Sequence, residues 1–203
     1  DHEAPMFNRA TLTRYPPGST FKMLLAFAAL ESGTITPAWR IQCGGSFRFG
    51  NRVFMDTHVH GSVGLVEAIQ KSCNVYFYHL GLIMGADMIY KYARLFSLGD
   101  LTHIDLPYEK AGFIPSKKAY LAARKSWYPG NTINMSIGQG DVLATPLQMV
   151  KMMAAVANDG REVQPHLIKM IGENTVTDYD VAQEIKIDPK IFEIVKTGLR
   201  AAV

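Results

Sequence analysis

A chain of 203 residues with 48% hydrophobic content is long enough for one sizeable core and has the composition of a soluble globular domain. Its net charge is only +3, from 21 scattered basic residues against 18 acidic ones, which gives no nucleic-acid footprint. No apolar run approaches the ~18 to 20 residues that a membrane-crossing helix needs, and no repeat, low-complexity tract or signal peptide is visible.

The chain reads as mostly helical. Residues 1–18 are a Pro-containing approach segment, and the apolar stretch from Thr20 to Ser32 predicts a helix stopped by Gly33. Residues 34–63 read as irregular, with Gly44, Gly45, Gly50 and Gly61 marking turns. Leu65 to Lys71, Val75 to Met84 and Asp87 to Ser97 predict three helices, separated by Ser72-Cys73-Asn74 and by Gly85. Lys117 to Lys125 is a weaker helix, and Trp127 to Thr132 reads as a glycine- and aromatic-rich loop. Thr145-Pro146-Leu147-Gln148 is a capping box with Pro at the first helical position, opening a helix that ends before Gly160. His166 to Ile171 predicts a strand of a hairpin turning near Gly172 to Asn174, and Asp188-Pro189 caps a final helix to about Ala202.

Two short motifs carry chemistry. Ser19 and Lys22 stand three residues apart at a predicted helix start, so they share a face. A serine hydroxyl becomes a nucleophile when a nearby base takes its proton, and an unprotonated lysine can do that. The free N–H groups of a helix start favour a developing oxyanion. The second motif is Ser72-Cys73-Asn74, a turn between two helices that can present a hydroxyl and an amide to the same cleft. Taken alone, Ser19 and Asn74 also read as ordinary helix caps and Lys22 as a solvated side chain.

In this order, the two motifs are those of the serine penicillin-recognising enzymes. The chain resembles the transpeptidase domain of class B penicillin-binding proteins, most closely the elongation-type branch, penicillin-binding protein 2. The resemblance runs from about Asn8 to about His166. It rests on Tyr15-Pro-Pro-Gly-Ser-Thr-Phe-Lys22, His60-Gly61, Ser72-Cys-Asn-Val-Tyr-Phe77, Gly99 with Ile104-Asp-Leu-Pro107, Trp127-Tyr-Pro-Gly-Asn-Thr132, Ser136-Ile-Gly-Gln-Gly140 and Thr145-Pro-Leu-Gln148.

That likeness implies an α+β, mostly helical, penicillin-binding-protein/β-lactamase-like fold, with residues 1–203 supplying mainly its helical subdomain and an incomplete sheet. It implies a D,D-transpeptidase that cross-links peptidoglycan during cell elongation and is acylated by β-lactams. Ser19 would be the nucleophile and Lys22 its general base. Ser72 would relay a proton between Lys22 and the amine, and Asn74 would hold a stem peptide ending in D-Ala-D-Ala. Trp127, Thr132, Gly138 and Gln139 are candidate groove residues. The implied partners are stem peptides, β-lactams and the elongation-type glycan polymerase. The implied location is the periplasmic face of the inner membrane, reached through an N-terminal anchor expected outside these residues. A β-lactamase or β-lactam sensor uses the same two motifs, and a piece without activity of its own is the third reading.

The family's third motif, Lys-Thr-Gly, appears at Lys196-Thr197-Gly198. Ile191, Ile194, Val195 and Leu199 keep a helical period through it, whereas the family's motif lies on an extended edge strand. The match is therefore read as coincidental, and the true strand, with its half of the oxyanion hole, is expected beyond Val203. Cys43 and Cys73 are the only cysteines and leave three readings: a disulfide, two free thiols, or a shared metal. Asp56, His58 and His60 stand close by in sequence, and two thiolates, an imidazole and a carboxylate make a good tetrahedral zinc set. The resemblance implies a structural zinc on Cys43, Asp56, His60 and Cys73, with His58 as substitute for Asp56. No cofactor is needed for catalysis. The remaining histidines and the ten methionines read as surface or core.

Overall fold

The computed structural model describes residues 6–175 and 181–203. The approach segment before Met6, with His2, lies outside the described residues. Helix α1 (Arg9–Leu12) is a single turn capped by the Asn8 side chain. A 3₁₀ turn over Gly18–Phe21 then runs directly into α2 (Lys22–Glu31). Gly33, at φ 68°, ends that helix in the left-handed conformation glycine accepts without cost.

The stretch from 34 to 63 is not irregular. It forms β1 (Arg40–Cys43), β2 (Ser46–Phe49) and β3 (Arg52–Met55), and leads into β4 (Gly61–Gly64). Strands β2 and β3 make an antiparallel hairpin across Gly50-Asn51, and β1 pairs with β4, setting Cys43 opposite Gly61. Helix α3 (Leu65–Gln70) follows, with the Glu67 carboxylate accepting from the Gly64 N–H at 2.7 Å. Helix α4 runs Asn74–Leu95 and is broken at Gly85 (φ 75°, ψ 163°), the glycine expected to separate two helices.

Helix α5 (Lys117–Ala122) is capped by Ser116. The segment read as a loop forms α6 (Pro129–Met135), with Pro at its start and the Asn131 side chain accepting from the Tyr128 N–H at 2.8 Å. Helix α7 (Pro146–Ala157) begins with the expected capping box, Thr145 and Gln148 each bonding the other's backbone N–H. Strand β5 (Arg161–Val163) pairs with β8 (Val181–Glu184), while β6 (Met170–Ile171) and β7 (Asn174–Thr175) form the small hairpin turning at Gly172. Helix α8 (Pro189–Arg200), capped by Asp188, closes the chain.

Every residue of α2 from Lys22 to Ala29 is buried, so this helix is the spine of the core. It packs on α4, α8 and α3. The Phe27 ring sits 5.2 Å from that of Phe96 and 4.8 Å from that of Phe192, joining the three long helices. Each such ring withdrawn from water contributes about 1.5–3 kcal/mol. Lys196-Thr197-Gly198 lies inside α8, as its helical period predicts. A methyl at Gly198 would come within 2.8 Å of Ile69 Cβ, so the glycine permits the close approach of α8 to α3. No helix among the described residues is long and apolar enough to cross a membrane.

Candidate active site

Ser19 sits on the 3₁₀ turn, exposed, one turn above the buried Lys22. The turn is clamped from the far side. The Gly18 N–H donates to the Gly138 carbonyl at 3.0 Å, and a Cβ on Gly138 would lie 2.4 Å from the Gly18 carbonyl oxygen. Gly138 (φ 67°) is thus required both by conformation and by space.

The ammonium of Lys22 donates to the Ser72 carbonyl at 2.7 Å, to Ser72 Oγ at 3.0 Å and to Asn74 Oδ1 at 2.7 Å, which uses all three of its protons. Its charge also lies 5.6 Å from the centre of the Phe77 ring. Ser72 Oγ in turn stands 2.8 Å from Ser19 Oγ. Ser19 and Lys22 therefore communicate through Ser72, where the sequence predicts a contact along one helical face. Ser72 holds φ 52°, an uncommon conformation for a side-chain-bearing residue, and this aims its hydroxyl between the other two. Burial lowers the Lys22 pKa to about 8, against the opposing pull of the Asp56 and Cys73 charges.

Asn74 is fixed by a feature that the sequence reading misses, the Met55 carbonyl at the end of β3. Asn74 Nδ2 donates to it at 3.4 Å and the Tyr78 hydroxyl at 3.2 Å. Only the spacing of Asn74 and Tyr78, one helical turn apart, hinted that they act on one point.

The second cluster lies behind that turn. One ligand atom from each of Cys43, Asp56, His60 and Cys73 falls within 4.8 Å of every other. Asp56 Oδ2 is central, 3.4 Å from Cys43 Sγ, 3.2 Å from Cys73 Sγ and 3.7 Å from His60 Nδ1. Both cysteines are buried free thiols. Burial pushes the Asp56 carboxyl up, but donation from the Val75 N–H, the Cys73 thiol and the Asn74 and Thr57 N–H groups outweighs it and holds the pKa below its ordinary value. Burial raises the Cys73 thiol. Two sulfurs, one imidazole nitrogen and one carboxylate oxygen converging on one buried point suit a tetrahedral zinc. The substitution of His58 for Asp56 is not seen: His58 is exposed and offers Cys43 only its carbonyl, at 3.8 Å.

The four groove candidates divide. Gly138 clamps the Ser19 turn, and Gln139 follows it, exposed, on the same loop. Trp127 and Thr132 bond each other, Nε1 to Oγ1 at 2.9 Å, with the Trp127 ring against Tyr120, and so brace the start of α6.

Comparison with known proteins agrees with this geometry. The family model described as penicillin binding protein transpeptidase domain matches residues 1–203. Peptidoglycan D,D-transpeptidase MrdA of Acinetobacter baumannii is 40% identical over 172 residues, 82% of this chain and 26% of the relative. Penicillin-binding protein 2 of Pseudomonas aeruginosa, solved in complex with WCK 5153, superposes with a TM-score of 0.89 at 33% identity, over 98% of this chain and 47% of that one. A structure of a peptidoglycan synthase complex that coordinates polymerization and crosslinking gives 0.87 at 34% identity, over 100% of this chain and 35% of that one. The chain thus spans about a quarter to a third of the length of the curated relatives it matches.

Proposed function

Since the chain belongs to the transpeptidase-domain family of class B penicillin-binding proteins, we propose that it carries the acylating half of a peptidoglycan D,D-transpeptidase of the cell-elongation type. The unbroken contact from Ser19 Oγ through Ser72 Oγ to Lys22 Nζ, with Asn74 on the same amine, is the observation that carries this reading.

The chemistry starts with Lys22 neutral. Its lone pair accepts the Ser72 proton as Ser72 Oγ accepts that of Ser19, and Ser19 Oγ bonds to the carbonyl carbon of the penultimate D-Ala. The C–N bond to the terminal D-Ala then breaks, and its nitrogen takes the proton back along the same path. An acceptor amine attacks the resulting ester, gives its proton to the relay and restores Ser19. With a β-lactam the broken C–N bond is in a ring, so the leaving amine stays tethered and the ester persists. The Asn74 amide, pinned by Met55, is placed to align the peptide group of the donor.

Cys43, Asp56, His60 and Cys73 would hold a zinc ion, which supplies a structural cross-link and no reacting group. Cys73 lies between Ser72 and Asn74, so these ligands tie the excursion from 34 to 63 to the turn that carries the relay. A peptidoglycan substrate would put this site on the periplasmic face of the inner membrane. The synthase complex it resembles makes a glycan polymerase the expected partner.

Fluorescent penicillin tests the reading. The full-length protein is expected to form a covalent adduct that releases slowly, and Ser19→Ala to lose it entirely. An adduct of equal yield in Ser19→Ala would overturn the assignment, and rapid turnover would point to a β-lactamase.

A further inference from the structure

Outside the Ser19 site, a cleft of 430 Å³ opens between the β2–β3 hairpin and the first turn of α6. Its size falls in the range of small-ligand sites. Two aromatic rings are left at its walls instead of in the core: Phe49 is 38% exposed and Tyr128 66%. Phe49 is held in place, stacked on Phe47 at 6.3 Å and 21°, and Phe47 is anchored against Tyr78 and His79.

The polar lining is mostly uncharged. Asn51, Asn131 and Asn134 face the cleft with one guanidinium, Arg52, and no carboxylate. Only Asn131 is committed, through its bonds to the Tyr128 N–H and the Tyr120 hydroxyl. The side chains of Asn51, Arg52 and Asn134 make no hydrogen bond or ion pair to another described residue. An amide offers a donor and an acceptor side by side, matched to vicinal hydroxyls and to N-acetyl groups. An exposed ring offers an apolar face to the C–H face of a pyranose. A cationic ligand would call for a carboxylate, and the lining holds none.

Both walls continue into the catalytic turn. Strand β3 ends at Met55, whose carbonyl holds Asn74, and α6 leads through Ser136 to Gly138, which clamps Gly18. From this placement we infer that the cleft is a saccharide subsite that grips an N-acetylated amino sugar of the glycan strand carrying the stem peptide. Naming that sugar rests on the transpeptidase reading above. The subsite would set the register between glycan and nucleophile.

Calorimetric titration of the protein with chitotetraose, a peptide-free chain of β-1,4-linked N-acetylglucosamine, tests it. Saturable binding is expected, weakened about tenfold by Tyr128→Ala, the loss of one good contact. Asn51→Ala, on the exposed hairpin tip and independent of α6 folding, is expected to weaken it several-fold. Absence of binding, equal affinity in both variants, or displacement of the sugar by a free stem pentapeptide would overturn the subsite. Penicillin labelling of the same sample separates the two readings: labelling without sugar binding removes the subsite alone, and sugar binding without labelling removes the transpeptidase.

Discussion

The two regions that meet at Lys22 are held together by different physics. Helix α2 buries every side chain from Lys22 to Ala29, and its rings interlock with α4 and α8. The excursion from 34 to 63 buries only Ile35, Cys43 and Val63. Its strands are four residues long, in two-stranded pairs that are marginal by themselves. It is tied to the rest by the Cys43–Asp56–His60–Cys73 cluster, by the Met55 carbonyl, and by half-buried Trp39, Phe47 and Phe54 set against Tyr76 and Tyr78 of α4. Ser19 and Lys22 thus stand on a packed spine, while Ser72 and Asn74 depend on a polar staple. One side fails globally and the other locally.

The largest effect expected is on the spine. Phe27→Ala removes a fully buried ring that touches Phe96 and Phe192, at a cost of about 3–5 kcal/mol. Denaturant unfolding should show the whole domain losing stability in one transition, with penicillin labelling falling only as the folded fraction falls. A local loss of labelling at full stability would contradict the division.

The staple should break differently. Cys43→Ser, or chelation of the wild type, is expected to slow penicillin acylation about tenfold to a hundredfold while the helical signal of α2, α4 and α8 persists. Protease nicking should appear between Gly44 and His60. Metal analysis is expected to give close to one zinc per chain, and less than a tenth of an equivalent in carefully purified protein would remove the zinc. Wild-type acylation rates in Cys43→Ser would show that the turn holds its shape without the staple.

This division also decides what could be read in advance. The spine was legible because helical period, the Thr145–Gln148 box, Gly33, Gly85 and the Asp188-Pro189 cap all agree locally, and because Lys196-Thr197-Gly198 sits within an unbroken apolar period. The excursion reads as irregular when its glycines alone are weighed. Ser46-Phe-Arg-Phe49 and Arg52-Val-Phe-Met55 flank a Gly-Asn turn, a hairpin signal that was there to be used. Helix α6 was hidden because Gly130 and Asn131 are poor helix formers, and its start rests on Pro129 and the Asn131 side chain. The cysteine cluster was legible by donor chemistry. The preference for Asp56 over His58 comes from the resemblance and not from donor chemistry, since in the fold it depends on the Val75 N–H reaching Asp56 at 2.9 Å from another element. The route from Ser19 to Lys22 through Ser72 was likewise invisible, because helical spacing carries no information about the left-handed Ser72.

The smallest effect, and the one that best separates the two regions, is on pH. Lys22 acts as a base only when neutral, and burial brings its pKa to about 8. Acylation should therefore rise about tenfold per pH unit on the acid side and level off above about 8. The same shift makes the fold gain stability as pH climbs from about 8 towards the ordinary 10.5, where the unfolded chain still holds a proton that the native state has released. Two groups outside α2 oppose the burial, the charges of Asp56 and Cys73, both in the staple. Zinc would bind two thiolates in place of two thiols, so the cluster carries the same net charge loaded or chelated, and both forms should level off at the same pH. Acylation rates from pH 6 to 10, with and without chelator, measure this directly. A midpoint that moves on chelation would show that the staple tunes the base as well as holding the turn, and a flat profile would remove Lys22 from the role of base.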